Sequence, residues 1–302
     1  MNKVLVTGSS GFLGDAIIRR LIKINYIPIG LDPIAERPTA WHAVRDDLSD
    51  QNRIEHLLRS EAVTHVIHCG GISGPMVLAD DPMRVMEINV VGSLNLLKSC
   101  TRAGVSTFIY CSSVSAVGDF YEAEPIGTEY PLQPTSSYGA SKAAMDMVLS
   151  GLWGRISVDL CSLRFTGIYG PGRRTPYFVD EIVSAAVNGT TAYVEQMTDW
   201  PHIFIDDAAE AAVSACFSTK RRQLYYFIAY PEQVSLEDLA AAASISKPVP
   251  LVYDRDRPIA RRGPLDIRPA QRDFGFAPKI DHREGIRRMV EAAVADRESR
   301  LH

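Results

Sequence analysis

Residues 3 to 24, KVLVTGSSGFLGDAIIRRLIKI, join a short apolar run to a helically spaced one through a turn with glycines at 8, 11 and 14. Apolar runs of this length bounded by glycine read as buried strands, and apolar residues at three- and four-residue spacing read as helices. The pairing then repeats. YIPIGLD is a second strand ending in an acid, and a short strand is expected before DDL at 46 to 48. DQNRIEHLLRSE is an amphipathic helix and VTHVIHCGG the next strand. PMRVMEINVVGSLNLLKSCTRAG reads as one long helix stopped by Gly104. STFIYCSS is a strand, residues 137 to about 153 a helix, and VDLCSLRFTGIYG one further strand. Alternation sustained over about 165 residues predicts an α/β fold, a doubly wound parallel sheet with helices on both faces.

After Gly170 the rhythm changes. YGPGRRTPY is loop, YFVDEIVSAAVNG a helix, PHIFIDDAAEAAVSACF a strand running into a helix, and SLEDLAAAA a helix capped by its serine. DRDRPIARRGPLDIRP is basic, proline-bearing and irregular. Residues 1–169 therefore read as one domain and 170–302 as a smaller α/β lobe, with about 200–230 returning to the first sheet.

The glycine turn has a chemical reading. A pyrophosphate needs backbone N–H groups and a helix N-terminus, and side chains there would block its approach. The stretch Gly8, Ser10, Gly11, Phe12, Leu13 and Gly14 is placed for this, between a strand and a helix, as in a Rossmann-type dinucleotide site. The alternative is a tight turn with no ligand, against which stands the context of a strand before and a helix after. Asp32 ends the second strand, 18 residues after Gly14. An acid there bonds ribose hydroxyls and repels a 2′-phosphate, which favours NAD over NADP; the alternative is a turn-forming aspartate before Pro33. Arg37 nearby weakens the exclusion, and Asp47 and Leu48 are placed to flank the adenine.

SSYGASKAAMD puts Tyr138 and Lys142 four residues apart, on one helical face. A surface pair would show the same spacing. The sharper reading is an acid/base unit. A free phenol ionises near about pH 10, so action near neutrality asks for roughly 4 kcal/mol of differential stabilisation, within reach of Lys142 and a cationic ring in a dry cleft. Ser112 and Ser113 fall at the carboxyl end of a parallel strand, where ligands bind, and Ser113 would hold the substrate oxygen.

TGSSGFLG, Asp32, HCGG, Asn89 in EINVVGSLNLL, CSSVSAVG, YGASK, LRFTGIYGPG, IFIDDAAEAA and QRDFGFAP occur in order over nearly the whole chain. This set strongly resembles the extended short-chain dehydrogenase/reductases, the NAD-dependent epimerase/dehydratase family. The resemblance implies that Tyr138 is the general acid/base, that Lys142 lowers its pKa and binds the nicotinamide ribose, and that Ser113, five residues before Gly118, positions substrate. It implies that Cys69, Gly70 and Gly71 line the cofactor, that Asn89 steadies the sheet and its ligand, and that Thr166, Gly167 and Ile168 reach the nicotinamide. Ser73, Gly167, Trp200 and His202 are expected on the substrate side. A homodimer is implied, pairing the helix after Pro82 with the Tyr138 helix.

Two positions depart from the sugar-nucleotide members. The asparagine expected three residues after the LR pair is Gly167, and the arginine expected six residues before the DD pair is Trp200. Both changes remove groups suited to a diphosphate. Arg173, Arg174, Arg261, Arg262 and Arg268 either compensate or form solvated faces. HCGGIS also resembles the uronate dehydrogenases of the same superfamily. The expected function is NAD-dependent oxidation of a sugar hydroxyl, foremost as a sugar or nucleotide-sugar epimerase. The alternatives are a sugar or sugar-acid dehydrogenase without a nucleotide handle and an NAD-binding sensor without turnover. Val114 and Ser115 stand where a dehydratase carries an acidic residue.

The bulk numbers exclude other classes. Hydrophobic residues at 46% and charged ones at 23% are the balance of a globular chain, and a net charge of −4 offers nothing to nucleic acid or an anionic membrane. Five cysteines at irregular spacing fit a reducing cytoplasm better than a disulfide framework or a metal site. MNKVLVTGSSGFLGD lacks the apolar stretch of a signal peptide. His68 reads as a packed or hydrogen-bonded core residue, and Tyr177 and Phe178 as cavity wall or core.

Overall fold

The computed structural model describes residues 3–34, 41–195, 197, 199–245, 247–254 and 262–299. Strand β1 (Val4–Thr7) is buried throughout and turns through Gly8–Gly11 into helix α1 (Phe12–Lys23), which buries Gly14, Ile17, Ile18 and Leu21 at helical spacing. There follow β2 (Ile29–Asp32), β3 (His42–Arg45), α2 (Gln51–Ser60), β4 (His65–His68) and α3 (Pro82–Met86). A π turn (Glu87–Val91) leads into α4 (Gly92–Ala103), then come β5 (Thr107–Ser113), α5 (Ser137–Leu152) and β6 (Asp159–Phe165). Local chemistry sets the ends. The Asp50 carboxylate accepts the Asn52 and Arg53 N–H groups at the head of α2, the Ser136 hydroxyl accepts Gly139 N–H at the head of α5, and left-handed Gly104 closes α4.

The seven strands of the main sheet, which include β10 (Tyr225–Ile228), lie in the order β3-β2-β1-β4-β5-β6-β10 and all pair in parallel. The connections run outward one way from β1 and the other way from β4, so the carboxyl ends of these two strands bound a crevice. Strand β10 (Tyr225–Ile228) comes from the later part of the chain and pairs with β6.

One sequence expectation changes and one is refined. The run 158–170 is two strands, not one. Its first part is held between β5 and β10, but β5 ends at Ser113 and β10 at Ile228. The backbone then swings at Thr166, and β7 (Gly167–Tyr169) pairs with β9 (Trp200–Phe204) instead. The long helix after Pro82 does run unbroken to Ala103, but it widens into a π turn at Glu87–Val91, where Asn89 points inward with 1% exposure.

Between these two strands lie α6 (Phe178–Asn188) and β8 (Ala192–Glu195). Helix α7 (Ile205–Phe217) follows β9 and packs on α1, its buried alanines 208, 209, 211, 212 and 215 allowing close approach. After β10 come β11 (Gln233–Val234), α8 (Leu236–Ala243), β12 (Leu251–Asp254), α9 (Arg268–Phe274) and α10 (His282–Ser299). Ser235 and Asp238 form a reciprocal capping box on α8. β7, β9 and β11 make a small sheet, and β8 pairs in parallel with β12. Within residues 200–230, therefore, 225–228 is the strand in the main sheet, while 200–204 belongs to the small one.

Arg164 on β6 is 2% exposed and is answered on every side. Its Nε donates to Asp146 Oδ2 on α5 at 2.8 Å, its Nη1 donates to Thr128 O at 2.8 Å, and the Tyr225 ring lies 4.2 Å away. The Ser162 hydroxyl completes the Asp146 carboxylate at 2.6 Å. The pair ties the sheet to the helix that carries Tyr138. No described helix is long and apolar enough to cross a membrane.

Candidate active site

One cavity of about 1870 Å³ runs across the carboxyl ends of the strands and collects residues from both parts of the chain. It is larger than a typical small-molecule pocket, with room for a dinucleotide and a second ligand.

The glycine turn forms one end. Gly8 is left-handed at φ 66°, and its N–H donates to Leu31 O at 2.9 Å. A Cβ on Gly14 would stand 2.0 Å from Gly8 O, so the first turn of α1 can close on the loop only without side chains. No side chain caps α1 at Gly11, which leaves its first N–H groups turned to the cavity that Ser10, Phe12 and Leu13 also line. The Asp32 carboxylate accepts Ser10 N–H at 3.1 Å and Ile34 N–H at 3.0 Å, which fixes it at the cavity wall. Asp47 and Leu48 line the same end. The Ser49 hydroxyl and backbone N–H hold the Asp47 carboxyl below its ordinary pKa. This bare cradle, with an acid at the second strand, fits a dinucleotide with free ribose hydroxyls. Arg37 lies outside the described residues.

Cys69, Gly70, Gly71 and Ser73 form the floor. Cys69 Sγ lies 3.3 Å from Cys111 Sγ, and all five cysteines are free thiols. Asn89 is not at the wall. It sits beneath the floor, its Oδ1 accepting Ile72 N–H at 2.7 Å and its Nδ2 donating to Ile72 O at 3.1 Å.

Tyr138, Lys142, Ser112 and Ser113 all line the cavity. Lys142 is 6% exposed; its Nζ donates to Cys111 O at 2.9 Å and lies 4.8 Å from the Tyr110 ring centroid and 5.8 Å from that of Tyr138. Burial alone would push its pKa down, but the Tyr110 and Tyr138 phenols and the Cys111 thiol outweigh burial, so it stays an ammonium above the ordinary lysine value. Burial pushes the Tyr110 phenol up to about 12, against the pull of Lys142. The Ser113 oxygen accepts Ser115 N–H at 3.1 Å, which fixes its rotamer and leaves its O–H available.

The far wall is built by the later chain. Thr166, Gly167, Ile168, Trp200, Tyr177 and Phe178 line it. Trp200 Nε1 donates to Thr166 Oγ1 at 2.7 Å, and a Cβ on Gly167 would stand 1.9 Å from the Tyr177 oxygen. The phenol thus fills the space that a side chain at 167 would take. His202 departs from expectation and is not in the wall. It is 3% exposed, stacked on Trp200 and bonded through Nδ1 to the Tyr177 hydroxyl at 3.0 Å, so those two rings cover it. Burial, then the neighbouring His282, push its pKa down to about 3. Arg173, Arg174 and Arg262 line the cavity; Arg262 pairs with Asp119 and lies over Trp200, its centroid 5.1 Å away. Arg268 pairs with Asp266 at 2.8 Å on the surface, and Arg261 lies outside the described residues. Asp119, Asp180 and Tyr193 also line the cavity and carried no sequence signal.

A seven-stranded parallel sheet with a glycine cradle at its switch point and a tyrosine–lysine pair in the same cavity defines a dinucleotide-dependent oxidoreductase class. The family model for the NAD dependent epimerase/dehydratase family matches residues 4–224. The chain is 26% identical to a UDP-glucose 4-epimerase of Mycolicibacterium smegmatis, covering 96% of this chain and 97% of that one. It is 25% identical to a dTDP-glucose 4,6-dehydratase of Actinoplanes, over 95% and 96% of the two chains. The crystal structure of the UDP-glucose 4-epimerase of Thermus thermophilus in complex with NAD superposes with a TM-score of 0.83 at 28% identity, covering 96% and 98%. The protein belongs to the NAD-dependent epimerase/dehydratase family, and it is an NAD-dependent enzyme of the extended short-chain dehydrogenase/reductase type.

Proposed function

We propose that the enzyme oxidises a hydroxyl of a sugar or nucleotide sugar, with Tyr138 as acid/base, Lys142 as its electrostatic partner and Ser113 as the group that holds the reacting oxygen. The observation that carries this reading is that these three side chains line the same cavity as the glycine cradle. NAD, when bound, accepts the hydride. The chain does the rest. Gly8, Ser10, Gly11, Phe12, Leu13 and Gly14 receive the pyrophosphate, Asp32 the ribose hydroxyls, and Asp47 and Leu48 the adenine. Cys69, Gly70, Gly71, Thr166 and Ile168 enclose the nicotinamide end, and Asn89 supports that floor from behind. The Ser113 O–H donates to the substrate oxygen, and the Tyr138 oxygen takes the hydroxyl proton. The Lys142 ammonium stabilises the charge that develops on the phenol. Ser73, Gly167 and Trp200 shape the substrate end. Residues 1–169 act as the cofactor domain and 170–302 as the substrate lobe.

An epimerase returns the hydride to the other face of the same carbon; a dehydrogenase releases the ketone. The second outcome is favoured by one feature: the asparagine and arginine suited to a diphosphate are replaced by Gly167 and Trp200, and the Tyr177 phenol fills the space beside Gly167. Nicotinamide absorbance with NAD and a panel of free sugars, sugar acids and UDP- or dTDP-sugars, followed by product analysis, separates them. Net reduced cofactor with a free sugar or acid means a dehydrogenase, an inverted centre without it means an epimerase, and silence across the panel contradicts both. The enzyme works in the cytoplasm, in keeping with its free thiols. It acts as a homodimer through α3, the π turn after it and α5, where Met83, Val91 and Met147 are exposed. Met147→Glu should lower the sedimentation mass to that of one chain; an unchanged mass contradicts this interface.

A further inference from the structure

We propose that His68 is a positioning residue: a buried chain of hydrogen bonds passing through it fixes the cofactor floor at Gly70 and the helix bearing Tyr138 relative to each other. The role assigned to Tyr138 rests on the reading above.

His68 ends β4 with its ring fully buried. Its Nδ1 lies 2.6 Å from Thr7 Oγ1 and its Nε2 2.7 Å from Ser93 Oγ. The remaining partners determine where the protons are. Ser93 Oγ lies 2.5 Å from the Asn89 carbonyl oxygen, which can only accept, so the Ser93 proton goes there. Ser93 must then accept from His68 Nε2–H. A neutral imidazole protonated at Nε2 presents a lone pair at Nδ1, and the Thr7 hydroxyl donates to it. The Thr7 oxygen is left to accept Gly70 N–H, at 3.1 Å. Burial, reinforced by the Lys142 ammonium, holds the ring neutral by pushing its pKa down to about 3. A second ring proton would leave the Thr7 hydroxyl proton without an acceptor.

The chain continues through Asn89. Its amide oxygen accepts Ile72 N–H, and its Nδ2 donates to Ile72 O and, at 2.9 Å, to Ser141 Oγ. Ser141 Oγ donates to Tyr138 O at 2.7 Å. Donors and acceptors match along the whole path, from the β1 loop through β4 and the π turn to the first turn of α5. The π turn brings Asn89 directly under the floor: a Cβ on Gly71 would stand 2.6 Å from Asn89 Oδ1. A fully satisfied buried network specifies one geometry, and small displacements of positioned groups cost large factors in rate.

The test compares Thr7→Val, which removes the hydroxyl at constant shape, with Thr7→Ser, which keeps it, alongside Ser93→Ala. Leu58→Ala, on the buried face of α2, is the control for general loss of stability. Nitrogen NMR of labelled histidine should show His68 as the neutral Nε2–H tautomer. Thr7→Val and Ser93→Ala should each weaken NAD binding by about tenfold, the cost of orphaning a buried hydrogen-bonding group. They should also speed amide exchange both in 70–73 and in 137–142. Thr7→Ser should restore all three readouts, and Leu58→Ala should change none beyond its effect on global exchange. An Nδ1–H tautomer, or NAD affinity and exchange in Thr7→Val and Ser93→Ala no different from Leu58→Ala, would overturn the proposal. These readouts need no turnover, so a failure of the acid/base reading of Tyr138 shows separately, as undiminished turnover in Tyr138→Phe.

Discussion

At the scale of single residues, the site is a set of groups whose partners fix their chemistry. Asp32 is held by two backbone N–H groups at the cavity wall, where its proposed role is to meet the ribose hydroxyls and repel a 2′-phosphate. Asp32→Ala should weaken NAD by about tenfold or more and NADP much less, as calorimetric titration of both cofactors would show; equal losses contradict the assignment. That Tyr138, Lys142, Ser113 and Asp32 would share one cavity was legible, because the motifs that carry them fall at the carboxyl ends of parallel strands and at the head of the helix that follows. His202 was misplaced for the converse reason. A histidine two residues after Trp200 on one strand gives no hint that Tyr177, 25 residues away, covers it. His68 was read as a packed or hydrogen-bonded core residue and is one, but its partner Ser93, 25 residues away, could not be named without the fold.

At the scale of elements, strands and helices up to β6 were legible because period and glycine punctuation agree there. The division at Thr166 was not. Whether LRFTGIYG continues one strand depends on where β5, β9 and β10 end, which is a tertiary fact. The parallel pair β8–β12 was missed for the same reason: two four-residue strands with alternating exposure find each other across the lobe. Arg164 shows how an element can be pinned by a group that looks out of place in a buried strand. Removing one partner of such a pair leaves an unanswered charge. Arg164→Met should therefore cost about 3–5 kcal/mol in denaturant unfolding, since it strands the Asp146 carboxylate beneath α5. A loss under about 1 kcal/mol would mean that the pair contributes little to holding that helix.

At the scale of the molecule, two buried histidines set the response to acid. His68 and His202 stay neutral in the folded protein down to about 3, whereas the unfolded chain takes up their protons near about 6.5. Their contribution is complete above about pH 6.5 and is lost as pH falls, at about 1.4 kcal/mol per pH unit for each. Asp180 works the other way. Burial raises its pKa to about 6 against the pull of Arg173, so the folded protein holds that proton first and offsets part of the loss until the unfolded carboxylate titrates. Denaturant midpoints should fall from pH 7 downward and fall more steeply below about pH 4. A flat profile between pH 7 and 4 would contradict neutral, buried histidines.

The central claim is that Tyr138 moves the proton while the glycine cradle independently holds NAD. The most direct test is Tyr138→Phe, with turnover on the substrate identified by the panel and NAD affinity measured on the same preparation. The account predicts a loss of turnover of at least about a hundredfold with NAD affinity within about threefold of the parent. Turnover close to that of the parent enzyme would contradict it.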